Sequence, residues 1–391
     1  MNSASATDPV TADASRKDIS CGSEPCSRQS FRIVALPGDG VGPEVYASAV
    51  AVLEVLAPRF GITVELDEQL IGGVALDATG DPLPAATIAA CRQADAILLG
   101  AVGGPKWDKN AAQLRPEKGL LRIRSELGLY CNLRPVVTHP ALTRFSPLKP
   151  EKLQNVDLMI VRELTGGIYF GDKRRIGDRA EDVCAYTVEE ITRVTRKACN
   201  IAMQRKRHVT QVDKANVLET SRLWREVSTR VVSEEFPEIT LEHQLVDSCA
   251  MHLLTRPASF DVVLTENLFG DILSDEASML CGSMGLLPSA SLAEGSFGLY
   301  EPIHGSAPDI AGKGIANPYA MLLSLAMLLR HSLHQSAAAN TLEQVIHACW
   351  EDGVLTCDLV PNGQSTAGIT AEVCARLSAL PQDLQQQAAV A

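Results

Sequence analysis

Apolar positions fall in short runs broken by glycine- and proline-containing turns, and the spacing inside the runs switches between two periods. FRIVALPGDG (31–40) is an apolar run that ends in a glycine-rich turn, the pattern of a buried strand. Gly42-Pro43-Glu44 then opens a helix with proline just inside its start. VYASAVAVLEVLAPRFG carries helical spacing and stops at Pro58 and Gly61. ITVELDEQLIGG and ADAILLGAVGGP read as two further strands, the second again running into glycines. VDLMIVREL and FDVVLTEN are short apolar runs ending in polar groups, as in buried strands whose C-terminal ends present chemistry. The alternation of strand, helix and strand predicts an α/β fold with much parallel sheet. No internal repeat and no linker stand out between 31 and 380, so a second domain is expected to be an excursion from the first. Residues 1–30 hold almost no core-forming side chains and are expected to be a disordered extension. The stretch after Leu380 reads as a frayed end.

Composition narrows the function classes. Lys and Arg number 35 against 47 Asp and Glu, a net charge of −12, which argues against a nucleic-acid groove or attraction to an anionic membrane. The longest apolar stretch, Met321–Leu329, is about half of what a spanning helix needs. The 11 cysteines form no C-x-x-C pair, which predicts reduced thiols in a reducing compartment, the cytoplasm. Organelle targeting by residues 1–30 is the alternative, though four acidic residues against three basic ones disfavour a transit peptide.

Several charged residues stand where charge is costly. Asp271 and Asp275 lie four apart and share a helical face, where like charges repel by a few tenths of a kcal/mol. A divalent cation with oxygen ligands, Mg²⁺ or Mn²⁺, would offset that repulsion, whereas a solvated acidic helix start would need no metal. Asp247 offers a further carboxylate. Arg162 ends an apolar run, Arg134 precedes a proline, and Arg122 and Arg124 lie in GLLRIRSELGLY. Converging arginines suit a di- or tricarboxylate through their bidentate forks, and ion pairs with the many acidic residues are the competing explanation. Tyr169 follows two glycines, and Lys214 follows an apolar stretch. A partly buried lysine can serve as a base and a buried tyrosine can deliver a proton, although each, taken alone, is more often structural. The loop EPIHGSAPDIAGKGIANP (301–318) is long, irregular and rich in glycine and proline, a form more typical of function than of spacing. LPGDGVG (36–42) is not G-x-G-x-x-G, so it predicts either an ordinary turn or a ligand contact, but not a Rossmann fingerprint.

These segments occur together with LLGAVGGPKWD, GLLRIRSELGLYCNLRP, VRELTGGIYFG, DKANVLET, TENLFGDILSDEAS and GLLPSASL, in an order that resembles the β-decarboxylating dehydrogenases, the isocitrate and isopropylmalate dehydrogenase family, over roughly 31–375. The resemblance implies that family's fold, two α/β domains sharing a central mixed sheet, rather than a Rossmann domain. It implies a cofactor-binding domain of 31–129 and 282–391, and a substrate and dimerisation domain of 130–281. It implies NAD-dependent oxidative decarboxylation of 3-isopropylmalate to 4-methyl-2-oxopentanoate and CO₂, a step of leucine biosynthesis, aided by Mg²⁺ or Mn²⁺. Homoisocitrate or tartrate dehydrogenase, or a non-catalytic regulatory subunit, are its rivals. By the same resemblance Arg124, Arg134 and Arg162 grip the substrate carboxylates, Tyr169 is the general acid and Lys214 the base. Asp247, Asp271 and Asp275 hold the metal. Lys214 and Asp247 reach in from the partner of a homodimer. Glu117, Leu120, Leu121 and Val217 surround the isopropyl group, with Glu117 also near the nicotinamide. Glu301, His304, Gly305, Ser306, Ala307, Asp309 and Asn317 form the rest of the cofactor site. Two leucines would desolvate a third carboxylate at a cost of several kcal/mol but accept a branched alkyl group. Asp309 favours NAD over NADP because a carboxylate repels a 2′-phosphate. Cys131 stands beside a substrate arginine's loop, so its oxidation is expected to slow the reaction.

Overall fold

The computed structural model describes residues 29–381. The expected extension, apart from its last two residues, and the chain beyond Pro381 lie outside the described residues. Order begins earlier than expected: Gln29 and Ser30 join the first strand because their backbones pair with Ile62 and Thr63. Among the described residues the strands are β1 (Gln29–Gly38), β2 (Ile62–Glu68), β3 (Ala96–Ala101), β4 (Cys131–Val137), β5 (Asp157–Glu163), β6 (Lys173–Ile176), β7 (Arg179–Asp182), β8 (His208–Asp213), β9 (Thr240–Leu245), β10 (Val262–Thr265), β11 (Pro288–Leu292) and β12 (Gly298–Pro302).

Ten of these form one sheet in the order β2-β1-β3-β12-β11-β4-β5-β10-β8-β9, while β6 and β7 make a separate exposed hairpin. The outer parts of the sheet are parallel, as the strand–helix alternation predicts. Its middle is antiparallel: β11 runs against both β12 and β4, and β4 runs against β5. The sheet is therefore mixed. Antiparallel neighbours need no helical crossover, so β11 returns into β12 after only a short turn. Helices cover the sheet, and the run Met321–Leu329 lies in Tyr319–His331, a helix apolar all round because it is buried all round. No helix among the described residues is long and apolar enough to cross a membrane.

The first glycine loop proves to be a turn with a structural task. Buried Asp39 accepts hydrogen bonds from the backbone N–H groups of Gly73, Val74 and Gly103 at 2.8, 2.9 and 2.8 Å. Gly40 sits at φ +59°, and a Cβ there would lie 2.0 Å from the Ser306 carbonyl oxygen. That oxygen accepts from Val41 N at 2.8 Å, so the loop braces the 301–318 segment. Glu44 adds to the brace by accepting from Gly312 N and Gly314 N.

Candidate active site

Helix Pro116–Glu126 presents Glu117, Leu120, Leu121 and Arg124, spaced i, i+3, i+4, i+7, along one face. That face lines a cavity of about 440 Å³. Arg134 from β4, Arg162 from the end of β5, Tyr169 from the turn Gly167–Tyr169 and Asp271 from helix Asn267–Ser278 line the same cavity. Glu301, His304 and Gly305, at the end of β12 and just beyond it, complete the wall. Residues as far apart in sequence as Ala101 and Gly305 thus meet in one cleft.

The arginines keep their charge by being paired. Arg162 donates through Nη1 to Asp271 Oδ1 at 2.5 Å, and through Nε and Nη2 to Asn267 Oδ1 at 3.1 and 2.7 Å. Arg134 donates to Asn132 Oδ1 at 2.8 Å, Ser274 Oγ at 2.6 Å and Asp275 Oδ1 at 3.3 Å. Arg124 donates to Glu301 Oε1 at 2.8 Å, and its buried Nε has no protein partner. Burial, followed by the nearby Arg134 charge, pulls Arg162 down to about 10, still protonated at neutral pH. Tyr169 donates to Asp271 Oδ2 at 2.8 Å. Burial and that hydrogen bond push the phenol up to about 12, so it holds its proton at neutral pH. Burial works to raise Asp271, but Arg162, Tyr169 and Arg134 hold it below the usual carboxylate range. Asp275 is raised by burial, which the nearby Arg134 charge only partly offsets, with a smaller upward push from the Asp271 charge.

Asp271 and Asp275 are oxygen ligands of the kind a hard divalent cation takes, and in the single chain Arg162 and Arg134 pair with them. Asp247 is not beside them. It accepts from Lys214 Nζ at 2.6 Å, which holds its carboxyl low, and neither residue lines the cavity. Among the described residues no group of three His, Cys, Asp or Glu side chains is placed to hold a metal. Val217, on the turn after Lys214, is 62% exposed and also lies away from the cavity. A nucleotide cofactor fits the opposite wall, where the buried Nε2 of His304 has no protein partner. Burial pulls His304 down, which keeps the ring neutral. Ser306, Ala307, Asp309 and Asn317 follow along the same loop outside the cavity lining. Asp309 is exposed. The Asn317 amide is spent internally, on Tyr319 N at 3.0 Å and Asp358 Oδ2 at 3.1 Å.

Sequence reasoning overlooked Ser289, Lys173 and Ile303, all of which line the cavity. Lys173 donates to the carbonyls of Ile168 and Tyr169 and so ties down the tyrosine's turn. A lysine in an exposed hairpin gives no sequence signal of that contact. Cys131 corrects an expectation: its side chain is fully buried in β4 and its thiol is pushed up to about 12, so it has neither the access nor the thiolate needed for oxidation.

The model of the isocitrate/isopropylmalate dehydrogenase family matches residues 32–374. The chain belongs to that family. Family members with high identity include 3-isopropylmalate dehydrogenase from Halalkalibacterium halodurans, 54% identical over 356 residues, covering 89% of this chain and 98% of the relative. The Bacillus subtilis enzyme of the same name is 55% identical over 354 residues, covering 88% and 97%. Among solved members, isocitrate dehydrogenase from Methylococcus capsulatus superposes with a TM-score of 0.80 at 34% identity, covering 89% of this chain and 99% of that one. A β-decarboxylating dehydrogenase from Thermococcus kodakarensis gives 0.74 at 35%, covering 89% and 96%. These neighbours share the mixed ten-stranded sheet's fold, which is that of the family and not a Rossmann domain.

Proposed function

We propose that the chain is an NAD- and divalent-metal-dependent dehydrogenase that oxidises and decarboxylates 3-isopropylmalate to 4-methyl-2-oxopentanoate and CO₂. The observation that carries this reading is one cavity lined by three buried arginines and by Leu120 and Leu121, which share a helix face with Arg124. Two carboxylates and an oily branch on one substrate match that lining. Burying the three carbons of the branch contributes ~2 kcal/mol at ~0.8 per carbon. A third carboxylate, as in isocitrate, would lose its hydration against the leucines. The names of the relatives support the same substrate.

Arg124, Arg134 and Arg162 bind and orient the substrate carboxylates. Asp271 and Asp275, joined by Asp247 of a second copy, hold the cation. His304 and the 305–317 loop receive the adenosine end of the dinucleotide, and Glu117 lies toward its nicotinamide. When bound, NAD⁺ takes up the hydride and the cation polarises the substrate's oxygens. Lys214 of the second copy accepts the hydroxyl proton. After CO₂ leaves, Tyr169 delivers its phenolic proton to the carbon that bore it.

A homodimer is part of this reading. Met251, Leu254, Ile272 and Met279 are exposed apolar side chains on or just beyond helices Val246–Thr255 and Asn267–Ser278, which pack together. A second copy covering that patch would bring its Lys214 and Asp247, which stand idle in the single chain, toward this cavity. Residues 31–129 with 282–391 then serve the cofactor, and 130–281 serve substrate and dimer. Nine free cysteines among the described residues suit the reducing cytoplasm.

The test follows NADH absorbance with 3-isopropylmalate, isocitrate, homoisocitrate and tartrate, with and without EDTA. The expected result is the highest kcat/KM on 3-isopropylmalate, abolished by EDTA and restored by Mg²⁺ or Mn²⁺. Higher kcat/KM on another acid would reassign the substrate, and inactivity on all four would favour a regulatory subunit.

A further inference from the structure

Asn267 is the first residue of helix Asn267–Ser278 and is fully buried. All of its polar groups are committed. Its Oδ1 accepts both Nε and Nη2 of Arg162, at 3.1 and 2.7 Å. Its Nδ2 donates to the carbonyl of Gly166 at 3.1 Å, at the entrance to the turn that carries Tyr169. Its backbone N–H donates to the hydroxyl of Tyr186 at 3.0 Å. That hydroxyl also meets Glu266 Oε2 at 3.2 Å. The Tyr186 side chain packs against the same turn: a Cβ on Gly166 would lie 2.6 Å from its ring, and one on Gly167 2.4 Å from its hydroxyl oxygen.

The chemistry of the acceptor is the telling feature. A buried arginine is ordinarily oriented by a carboxylate, which also neutralises it. Here the inner fork of Arg162 is held by a neutral amide oxygen, and only Nη1 meets a carboxylate, Asp271. The guanidinium is locked in place while half of its charge-bearing edge stays uncompensated.

We infer that Asn267 is a positioning residue that sets Arg162 and the Tyr169 turn as one unit through an uncharged acceptor, so that the charge of Arg162 is left partly uncompensated for a substrate carboxylate. This rests on the functional reading above for the identity of that substrate. Asn267→Asp keeps the acceptor geometry toward Arg162 but adds the compensating charge that the native residue withholds, and it removes the donor to Gly166.

The experiment compares steady-state kinetics of the wild-type enzyme, Asn267→Asp and Asn267→Ser. For Asn267→Asp, KM for 3-isopropylmalate is expected to rise about 10- to 100-fold, the scale of a lost charge-assisted contact, with KM for NAD⁺ within about twofold. Asn267→Ser, neutral but too short to hold both partners, is expected to raise KM for the acid less and to lower kcat more. It also carries the test if the aspartate variant does not fold. A purely structural role would lower activity through the folded fraction and leave both KM values alone. Unchanged KM for the acid, or a parallel rise in both KM values, overturns the inference. If the wild type turns over isocitrate, homoisocitrate or tartrate instead, the substrate assignment fails and the same KM comparison on that acid still decides the role of Asn267. If it turns over none of them, both fall together.

Discussion

The Tyr169 hydroxyl donates to Oδ2 of Asp271 at 2.8 Å, while Oδ1 of the same carboxylate is held by Arg162. One half-buried carboxylate thus fixes both the proposed proton donor and an anion-binding guanidinium. Tyr169→Phe keeps the ring and removes only the transferable proton. Its kcat is expected to fall about 10²- to 10⁴-fold, the usual contribution of a general acid, with Tm nearly unchanged. A loss below about fivefold would remove Tyr169 from the role of acid.

Lys214 and Asp247 pair with each other at 2.6 Å outside the cavity, which makes complementation between subunits a sharp test of the dimer. Lys214→Met and Tyr169→Phe are each expected to be nearly inactive alone. Unfolded together and refolded, they assort at random; half the dimers are mixed, and each mixed dimer has one complete site. About a quarter of wild-type activity should return. No recovery on mixing would mean that each site is built within a single chain.

Leu121 is expected to carry part of the substrate preference. Leu121→Ser removes apolar surface facing the branch of 3-isopropylmalate and adds a hydroxyl. With ~0.8 kcal/mol per buried carbon, kcat/KM for 3-isopropylmalate should drop about 5- to 10-fold while the value for malate, which has no branch, stays nearly constant. Equal losses on both acids would place Leu121 away from the alkyl group.

Stability should depend on pH through His331, in the last turn of helix Tyr319–His331. Burial, with Arg330, Lys197 and His334 nearby, pulls its imidazole down to about 4. The unfolded chain titrates there at about 6.5, so between the two values it binds a proton that the folded chain does not. This contribution is complete above about pH 6.5 and is lost as pH falls toward 4, at most about 3 kcal/mol and less to the extent that solvent reaches the ring. Thermal melts from pH 7 to pH 4.5 should show Tm falling more steeply for the wild type than for His331→Gln. Parallel curves would exclude the histidine as the cause.

The fold was legible where apolar runs met glycine or proline, and β1, β3, β5 and β10 stand where such runs predict them. Much of the site was legible for a similar reason: Arg124, Arg134 and Arg162 are charges set into apolar surroundings, and that expense is visible in one dimension. The antiparallel centre of the sheet was not, because the period of a strand carries no information about the direction of its neighbour. Asp39 and Asn267 escaped notice because each acts on backbone or side-chain groups that only the folded chain brings near: Asp39 on amides 34 to 64 residues away, Asn267 on a guanidinium 105 residues away. Lys214 and Asp247 were noticed in the sequence and Val217 came only from the family resemblance, yet one chain leaves all three outside its cavity.

The antiparallel middle of the sheet also contains a thinly paired seam. β11 and β4 meet over three register pairs, Ala290–Leu133, Ser291–Asn132 and Leu292–Cys131, against seven between β4 and β5. Asn132 reinforces the seam by donating to Ala290 O and Ser291 Oγ at 3.3 and 3.2 Å, and the same amide orients Arg134. One asparagine therefore stitches two strands together and aims a guanidinium that would grasp the substrate. Replacing Asn132 would loosen the join between the two halves of the sheet and the grip on a carboxylate in one step.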